Sequence, residues 1–153
     1  MATRRKQSGV ALIELALTIG VMVTIVFGIT EFGRAIYQYN TLAKAARDAV
    51  RYLSTKAPGD ATAIAEARCF AVFGNPTCAG SPLAPGLTTA MVGVCDATSC
   101  AATHQSQGSA PVINLVTVTI GGASNPYTFN SIVQFVVPSF AFGSISASMR
   151  QVL

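Results

Sequence analysis

The chain has 153 residues, of which 51% are hydrophobic and 10% are charged. This length suits one domain, and only a small soluble part remains once a membrane segment is set aside. The formal net charge is +4, but Arg4, Arg5 and Lys6 stand together near the N-terminus and the other charges nearly balance. This distribution argues against the basic surface that nucleic-acid-binding proteins need, so we expect no nucleic-acid partner.

Residues 10–30 form an apolar stretch directly after the basic cluster, with no charge from Leu15 to Thr30. As a helix this stretch spans about 31 Å, which matches the hydrocarbon core of a bilayer. It is longer than the apolar region of a secretory signal peptide, and no A-x-A-like cleavage site follows it. We therefore predict a transmembrane helix, and the positive-inside rule places its N-terminal end in the cytoplasm and residues 31–153 outside.

The helical pattern continues past the membrane segment. Apolar residues recur every three or four positions, with polar and charged residues largely between them. These apolar residues are Phe32, Ile36, Tyr39, Ala43, Ala46, Val50 and Leu53. Because Pro58-Gly59 ends the pattern, we predict one helix over residues 10–54, about 67 Å long, whose amphipathic continuation is residues 31–54.

Further elements follow this helix. A second, short helix is predicted over residues 61–73, with Asp60 as its N-cap and Gly74 as its stop. Strand-like alternation then occurs in residues 91–95, 112–120, 127–129 with 132–137, and 145–153. The sequence thus predicts an α+β fold, in which the exposed half of the long N-terminal helix packs on a small antiparallel sheet of three or four strands.

All four cysteines come after the apolar segment, where disulfides would form if that side is periplasmic. They are Cys69, Cys78, Cys95 and Cys100. Their spacing matches no zinc pattern with paired CxxC knuckles, and His104 has no companion ligand, so we expect disulfides and no metal. Pairing of Cys69 with Cys78 and of Cys95 with Cys100 is favoured among the three connectivities, because short loops close at lower entropy cost.

The segment SGVALIE has Gly9 after the basic cluster and Glu14 at the fifth position of the apolar run. It resembles the type IV prepilin signal, in which a prepilin peptidase cuts after the glycine and leaves a glutamate at position five of the mature chain. The resemblance implies cleavage between Gly9 and Val10, so that residues 1–9 are a cytoplasmic leader.

Two later blocks carry a more specific resemblance. EFGRA at residues 31–35 and LAKAARDAVRY at residues 42–52 resemble the EFGRA and L-x-x-AAR-x-x-x-R-Y blocks of TadE-like proteins. The VTVT run at residues 116–119 and SMR at residues 148–150 extend the similarity to most of the chain outside residues 56–110.

TadE-like proteins belong to the tight-adherence (Tad/Flp) pilus system. The resemblance implies a pilin-like fold and a minor pilin or pseudopilin in the bacterial inner membrane, with a periplasmic head. Its implied partners are other pilin subunits, the inner-membrane assembly platform, prepilin peptidase and membrane lipid; whether the protein enters the extracellular pilus stays open.

Two alternatives remain. One is a pseudopilin of a type II secretion system, although Val10 differs from the phenylalanine or methionine usual at that mature N-terminus. The other is a membrane-anchored periplasmic binding or adaptor module with no pilus role, which would have no reason to be cut after Gly9. No convergent set of acid, base and nucleophile is apparent, so we expect no catalytic residues, no cofactor and no enzymatic activity.

Several residues of the long helix are candidates for assembly. Small residues recur every four positions and predict a packing face for another pilin-like helix; they are Ala16, Gly20, Thr24 and Gly28. Glu14 is the one ionisable residue of the apolar run, and by resemblance to pilins it would attract the Val10 amine of a neighbouring subunit. Glu31 and Arg34 are interpreted as a solvated pair just outside the bilayer.

Overall fold

The computed structural model describes residues 8–105 and 113–152, so most of the leader lies outside the described part. The elements in chain order are α1 (Ser8–Leu53), α2 (Ala61–Phe73), a 3₁₀ turn (Thr89–Met91), β1 (Val92–Cys95), α3 (Ala101–His104), β2 (Asn114–Ile120), β3 (Thr128–Phe129), β4 (Phe140–Ala141) and β5 (Ile145–Gln151). The fold is α+β, as predicted, with a long N-terminal helix, a short second helix and a small antiparallel sheet.

Helix α1 is continuous over 46 residues, which corresponds to about 69 Å. Residues 9–30 are exposed on all sides except at Gly28, whereas one side of the helix is buried from Glu31 onward. The carbonyl groups just after the end of α1 accept hydrogen bonds from the C-terminal segment. The Gln151 side-chain Nε2 donates to Lys56 O at 2.9 Å, and the Val152 N–H donates to Ser54 O at 2.9 Å.

The buried side of α1 differs from the predicted set of apolar positions, Phe32 to Leu53, in the first half of that set. Phe32 is 65% exposed, and Ile36 and Tyr39 are exposed as well, whereas Ala35 and Leu42 are buried. Ala46, Val50 and Leu53 are buried, as predicted. The described residues after α1, which we call the head, approach the helix closely along the alanines of α1, and bulky side chains would prevent that approach. The predicted set of buried positions is therefore wrong where it follows the largest apolar residues.

Helix α2 has both predicted ends. The Asp60 side chain accepts hydrogen bonds from the Thr62 and Ala63 amides, and Gly74 adopts a left-handed conformation with φ 76° and donates its N–H to Phe70 O. Helix α2 contacts α1, and both helices contribute alanines to the core. The buried alanines are Ala45, Ala46, Ala49, Ala63, Ala67 and Ala71.

The sheet has the order β1-β2-β5, with all pairs antiparallel. Alternate residues of β2 are buried in the core, namely Val116, Val118 and Ile120, and β2 and β5 both contact α1. Strands β3 and β4 form a separate two-stranded sheet. The predicted strand starting at residue 112 and the one ending at residue 153 reach outside the described residues at those ends.

The predicted strand at residues 132–137 is wrong. These residues form turns, in which the amides of Val136 and Val137 both donate to Val133 O. Their β-branched composition favours a strand, but no other strand pairs with them in the described chain. The hairpin partner of β3 is instead Phe140–Ala141, which is too short to show an alternating pattern.

Candidate functional site: the apolar helix and its junction with the head

Helix α1 is the one helix in the described chain that is long and apolar enough to cross a membrane. Its most apolar window of 18 residues has a mean hydropathy of 2.5, and none of that window is buried within the protein. Aliphatic side chains such as Leu12, Ile19, Ile25 and Ile29 therefore project from the helix without any contact that covers them. A surface of this kind suits lipid or another apolar helix, and it makes the chain a single-pass membrane-anchored protein.

Glu14 lies on the exposed surface of this apolar segment. Within residues 8–105 and 113–152 its carboxylate has no ion-pair partner; the salt bridge found there joins Arg34 and Glu31. Its backbone carbonyl accepts a hydrogen bond from the Thr18 hydroxyl at 2.7 Å. Glu14 stands four positions after Val10, so the two lie on one side of the helix, about 6 Å apart along its axis.

The predicted stripe of small residues is open at three of its four positions. Ala16, Gly20 and Thr24 are exposed, and a Cβ added at Gly20 would meet nothing within 4 Å. The Thr24 hydroxyl donates to Gly20 O at 2.9 Å, so it needs no partner outside its own helix. Gly28 differs, because a Cβ there would lie 3.5 Å from Val136 Cγ1. Gly28 is half-buried, with Val136 of the same chain beside it, and its part in the packing stripe stays a prediction.

Glu31 and Arg34 pair as predicted, but Glu31 is buried instead of solvated, whereas the Arg34 side chain stays 34% exposed. Glu31 is only 3% exposed, and both of its carboxylate oxygens accept hydrogen bonds from Arg34 Nη1, at 2.7 and 2.8 Å. The Ile132 amide also donates to Glu31 Oε2, at 3.3 Å, and the Arg34 guanidinium lies 5.5 Å from the centre of the Phe129 ring. The pair therefore joins α1 to the loop between β3 and β4.

These contacts also set the charge state of Glu31. Burial alone would raise the pKa of the Glu31 carboxyl, but the hydrogen bonds from Arg34 and Ile132 and the positive charge of Arg34 bring that pKa below its ordinary value. Glu31 is thus a carboxylate at neutral pH, held between the helix and the head.

Residues 9–51 match the family model described as TadE-like protein. Over this segment the chain is similar to TadE-like proteins. The matched segment covers nearly all of α1, including Glu14, the small-residue stripe and the Glu31–Arg34 pair, and it confirms the resemblance drawn from the EFGRA and AAR blocks. No curated protein and no solved structure matches the chain.

A second polar contact joins the TadE-like helix to the head. Gln38 is buried on α1, and its Oε1 lies 3.0 Å from the hydroxyl of Tyr127, which also lies 2.9 Å from Pro85 O. The Tyr127 ring stacks on Phe142 with a centroid distance of 5.8 Å. Sequence periodicity cannot find this contact, because Gln38 and Tyr127 are 89 positions apart.

Both predicted disulfides are present: Cys69–Cys78 joins α2 to the loop after it, and Cys95–Cys100 joins the end of β1 to the turn before α3. The expectation that no other potential metal ligand lies near His104 is wrong, because Cys95 and Cys100 lie beside it. Its Nδ1 lies 3.5 Å from Cys95 Sγ, and the ligand atoms of Cys95, Cys100 and His104 lie within 4.8 Å of one another. With both sulfurs joined in a disulfide, however, the cluster offers no thiolate to a metal ion.

Proposed function

We propose that this TadE-like protein is a minor pilin or pseudopilin of a tight-adherence type IV pilus system and that it acts by helix packing with other pilin subunits. In this proposal α1 holds the chain in the bacterial inner membrane with its N-terminus in the cytoplasm and its head in the periplasm. The observation that carries the proposal is the TadE-like match on a helix whose apolar half makes almost no contact with its own head. The match also favours the tight-adherence system over a type II secretion pseudopilin.

Processing by prepilin peptidase is the first step of this proposal. A Cβ added at Gly9 would meet nothing within 4 Å, so packing of the described chain does not require glycine there. A requirement for glycine at this position would therefore come from the peptidase.

We predict that the mature protein begins at Val10. Mass spectrometry of protein extracted from membranes should show loss of residues 1–9 in cells with an active prepilin peptidase. Gly9→Val should keep the helix and the membrane anchor but stay uncut. If the parent chain retains Arg4, Arg5 and Lys6 in such cells, the adaptor alternative is favoured and the pilin proposal fails.

Pairing of Glu14 with a neighbouring subunit is the second step of this proposal. A charged side chain in lipid is unfavourable and usually has a partner, and Glu14 has none within the described chain. Cleavage after Gly9 would free an α-amine on Val10 that is largely protonated near neutral pH. Pairing of Glu14 in one subunit with the Val10 amine of its neighbour would neutralise both charges in a medium of low dielectric and set the axial register of the two helices.

Glu14→Gln tests this pairing because it keeps the shape of the side chain and removes its charge. We expect normal membrane insertion and normal cleavage, but loss of co-purification with other pilin subunits and loss of pili. Thr18→Val is the matched control one turn further along, since the Thr18 hydroxyl bonds only to its own helix, and we expect that variant to assemble normally. Pili at the parental level in Glu14→Gln would refute the pairing.

A further inference from the structure

The loop between β3 and β4, residues 130–139, folds back onto α1 at the end of the apolar segment. Two contacts locate it: Val136 lies against Gly28, and the Ile132 amide donates to Glu31. The loop is compact, because the Ser131 amide donates to Ser139 Oγ and the amide of Val136 donates to Val133 O. Its position relative to α1 is therefore set at two places, about one turn of helix apart.

The outer surface of this loop is apolar. Phe135 is 82% exposed and Ile132 is 75% exposed, although both are residue types that normally lie inside a protein. The loop carries no charge, and the sequence has no Asp, Glu, Lys or Arg between Asp96 and Arg150. An apolar, uncharged and exposed tip of this kind suits contact with an apolar partner.

The level of the loop along α1 indicates what meets this surface. Gly28 stands 18 positions after Val10, which is about 27 Å along the helix, and a hydrocarbon core is about 30 Å thick. The loop therefore lies at the boundary of the bilayer on the side of the head. A single subunit anchored by α1 already holds Ile132 and Phe135 at this depth, so lipid meets them before any other protein does.

We propose that loop 130–139 is a second membrane contact, in which Phe135 and Ile132 enter the boundary between headgroups and acyl chains beside α1. Aromatic and aliphatic side chains on an uncharged surface suit that region. Because the loop is fixed to α1 through Glu31, this contact sets the depth and tilt of the head on the membrane. The proposal depends on anchoring by α1 and not on a role in a pilus.

Tryptophan fluorescence tests this contact directly, because the sequence contains no tryptophan. Phe135→Trp is made in the full-length protein and reconstituted into phosphatidylcholine vesicles, with and without bromine on the upper acyl carbons. Ile29→Trp on the apolar face of α1 is the lipid-exposed reference. Val152→Trp is the matched control, because Val152 is 77% exposed but lies beside Ser54, just past the end of α1, about 39 Å from Gly28 along the helix axis.

We expect the emission of Phe135→Trp to shift to shorter wavelength in vesicles and to be quenched by the brominated lipid nearly as strongly as that of Ile29→Trp. Emission of Val152→Trp should stay at the wavelength seen in water and should not be quenched. The larger ring at position 135 has free space, and circular dichroism should show the parental helix content.

Two outcomes would overturn the proposal. Emission of Phe135→Trp at the wavelength seen in water, without quenching, would show that the loop lies outside the lipid. A shift to shorter wavelength that is not quenched, and that grows with protein density in the vesicle, would show that another copy of the chain covers the loop. Because neither outcome involves pili, each is distinguishable from failure of the proposed pilin function.

Discussion

The hydroxyl of Tyr127, which contacts Gln38 and Pro85, should stabilise the attachment of the head to α1. The substitution Tyr127→Phe tests the contribution of this hydroxyl alone. Tyr127 is among the largest fully buried side chains. The substitution keeps the ring that stacks on Phe142 and removes only the hydroxyl. Gln38 Oε1 then loses the donor that lies 3.0 Å away, and it stays buried.

The expected loss follows from these surroundings. A hydrogen bond contributes about 0.5–1.5 kcal/mol net, and a buried acceptor left without a donor costs about 1–3 kcal/mol. Pro85 is exposed, so water can replace the hydroxyl at its carbonyl, and the penalty falls mainly on Gln38. We expect the free energy of unfolding to fall by about 1–2 kcal/mol, which lowers the melting temperature by about 2–8 °C.

Thermal unfolding of the full-length protein in detergent, followed by near-ultraviolet circular dichroism, measures this change. Tyr37→Phe is the control, because Tyr37 is exposed on the same helix and should change stability by less than about 0.5 kcal/mol. Adding Gln38→Leu to Tyr127→Phe should cost less than the sum of the two single changes, since both polar partners are then gone. A Tyr127→Phe variant as stable as the parent, with additive effects in the double variant, would refute this reasoning.

Two further predictions concern the head. Burial alone would raise the pKa of the Asp96 carboxyl, but hydrogen bonds from neighbouring amides, including those of Ser99 and Gly59, and from the Ser99 hydroxyl bring it below its ordinary value. Its stabilising contribution is therefore present above the unfolded-state pKa of about 3.9 and is lost as the pH falls below it. Unfolding in urea from pH 6 to pH 2.5 should show a shallower loss for Asp96→Asn than for the parent, and parallel curves would contradict the assignment. Replacing both Cys69 and Cys78 by serine should cost about 2–3 kcal/mol, because that disulfide closes a loop with a sequence separation of 9; an unchanged denaturation midpoint would contradict it.

The helices could be predicted because their signals are local. Asp60 and Gly74 bound α2 through hydrogen bonds to residues within one turn, and α1 ends at Leu53, shortly before Pro58-Gly59. The buried side of α1 depends instead on what packs there. Hydropathy ranks Phe32 above Ala35, but the close approach of the head requires the smaller side chain.

The junction between the helix and the head shows the same limit more strongly. Glu31 and Arg34 are neighbours in sequence, so their pairing could be predicted, but burial of Glu31 depends on the amide of Ile132, 101 positions later. Residues 132–137 have the composition of a strand, yet they form turns against α1. Glu14, by contrast, is a candidate on sequence grounds alone, because a single acid in an apolar run needs no tertiary contact to stand out, and its pairing stays a prediction.

Val136 beside Gly28 affects how another helix can approach α1. A partner that follows the small-residue stripe meets open positions from Ala16 to Thr24, which is about 12 Å of helix. Glu14 stands two positions before Ala16 and therefore lies on a different side of α1, so a partner that pairs with Glu14 does not reach it along this stripe. At Gly28 a helix on the stripe meets Val136, because Val136 Cγ1 would lie 3.5 Å from a Cβ added there. Phe32 and Ile36 remain exposed further along the helix, so any longer contact between subunits has to continue over these bulky apolar residues. The head thus narrows this side of α1 at Gly28 and leaves it open again at Phe32 and Ile36.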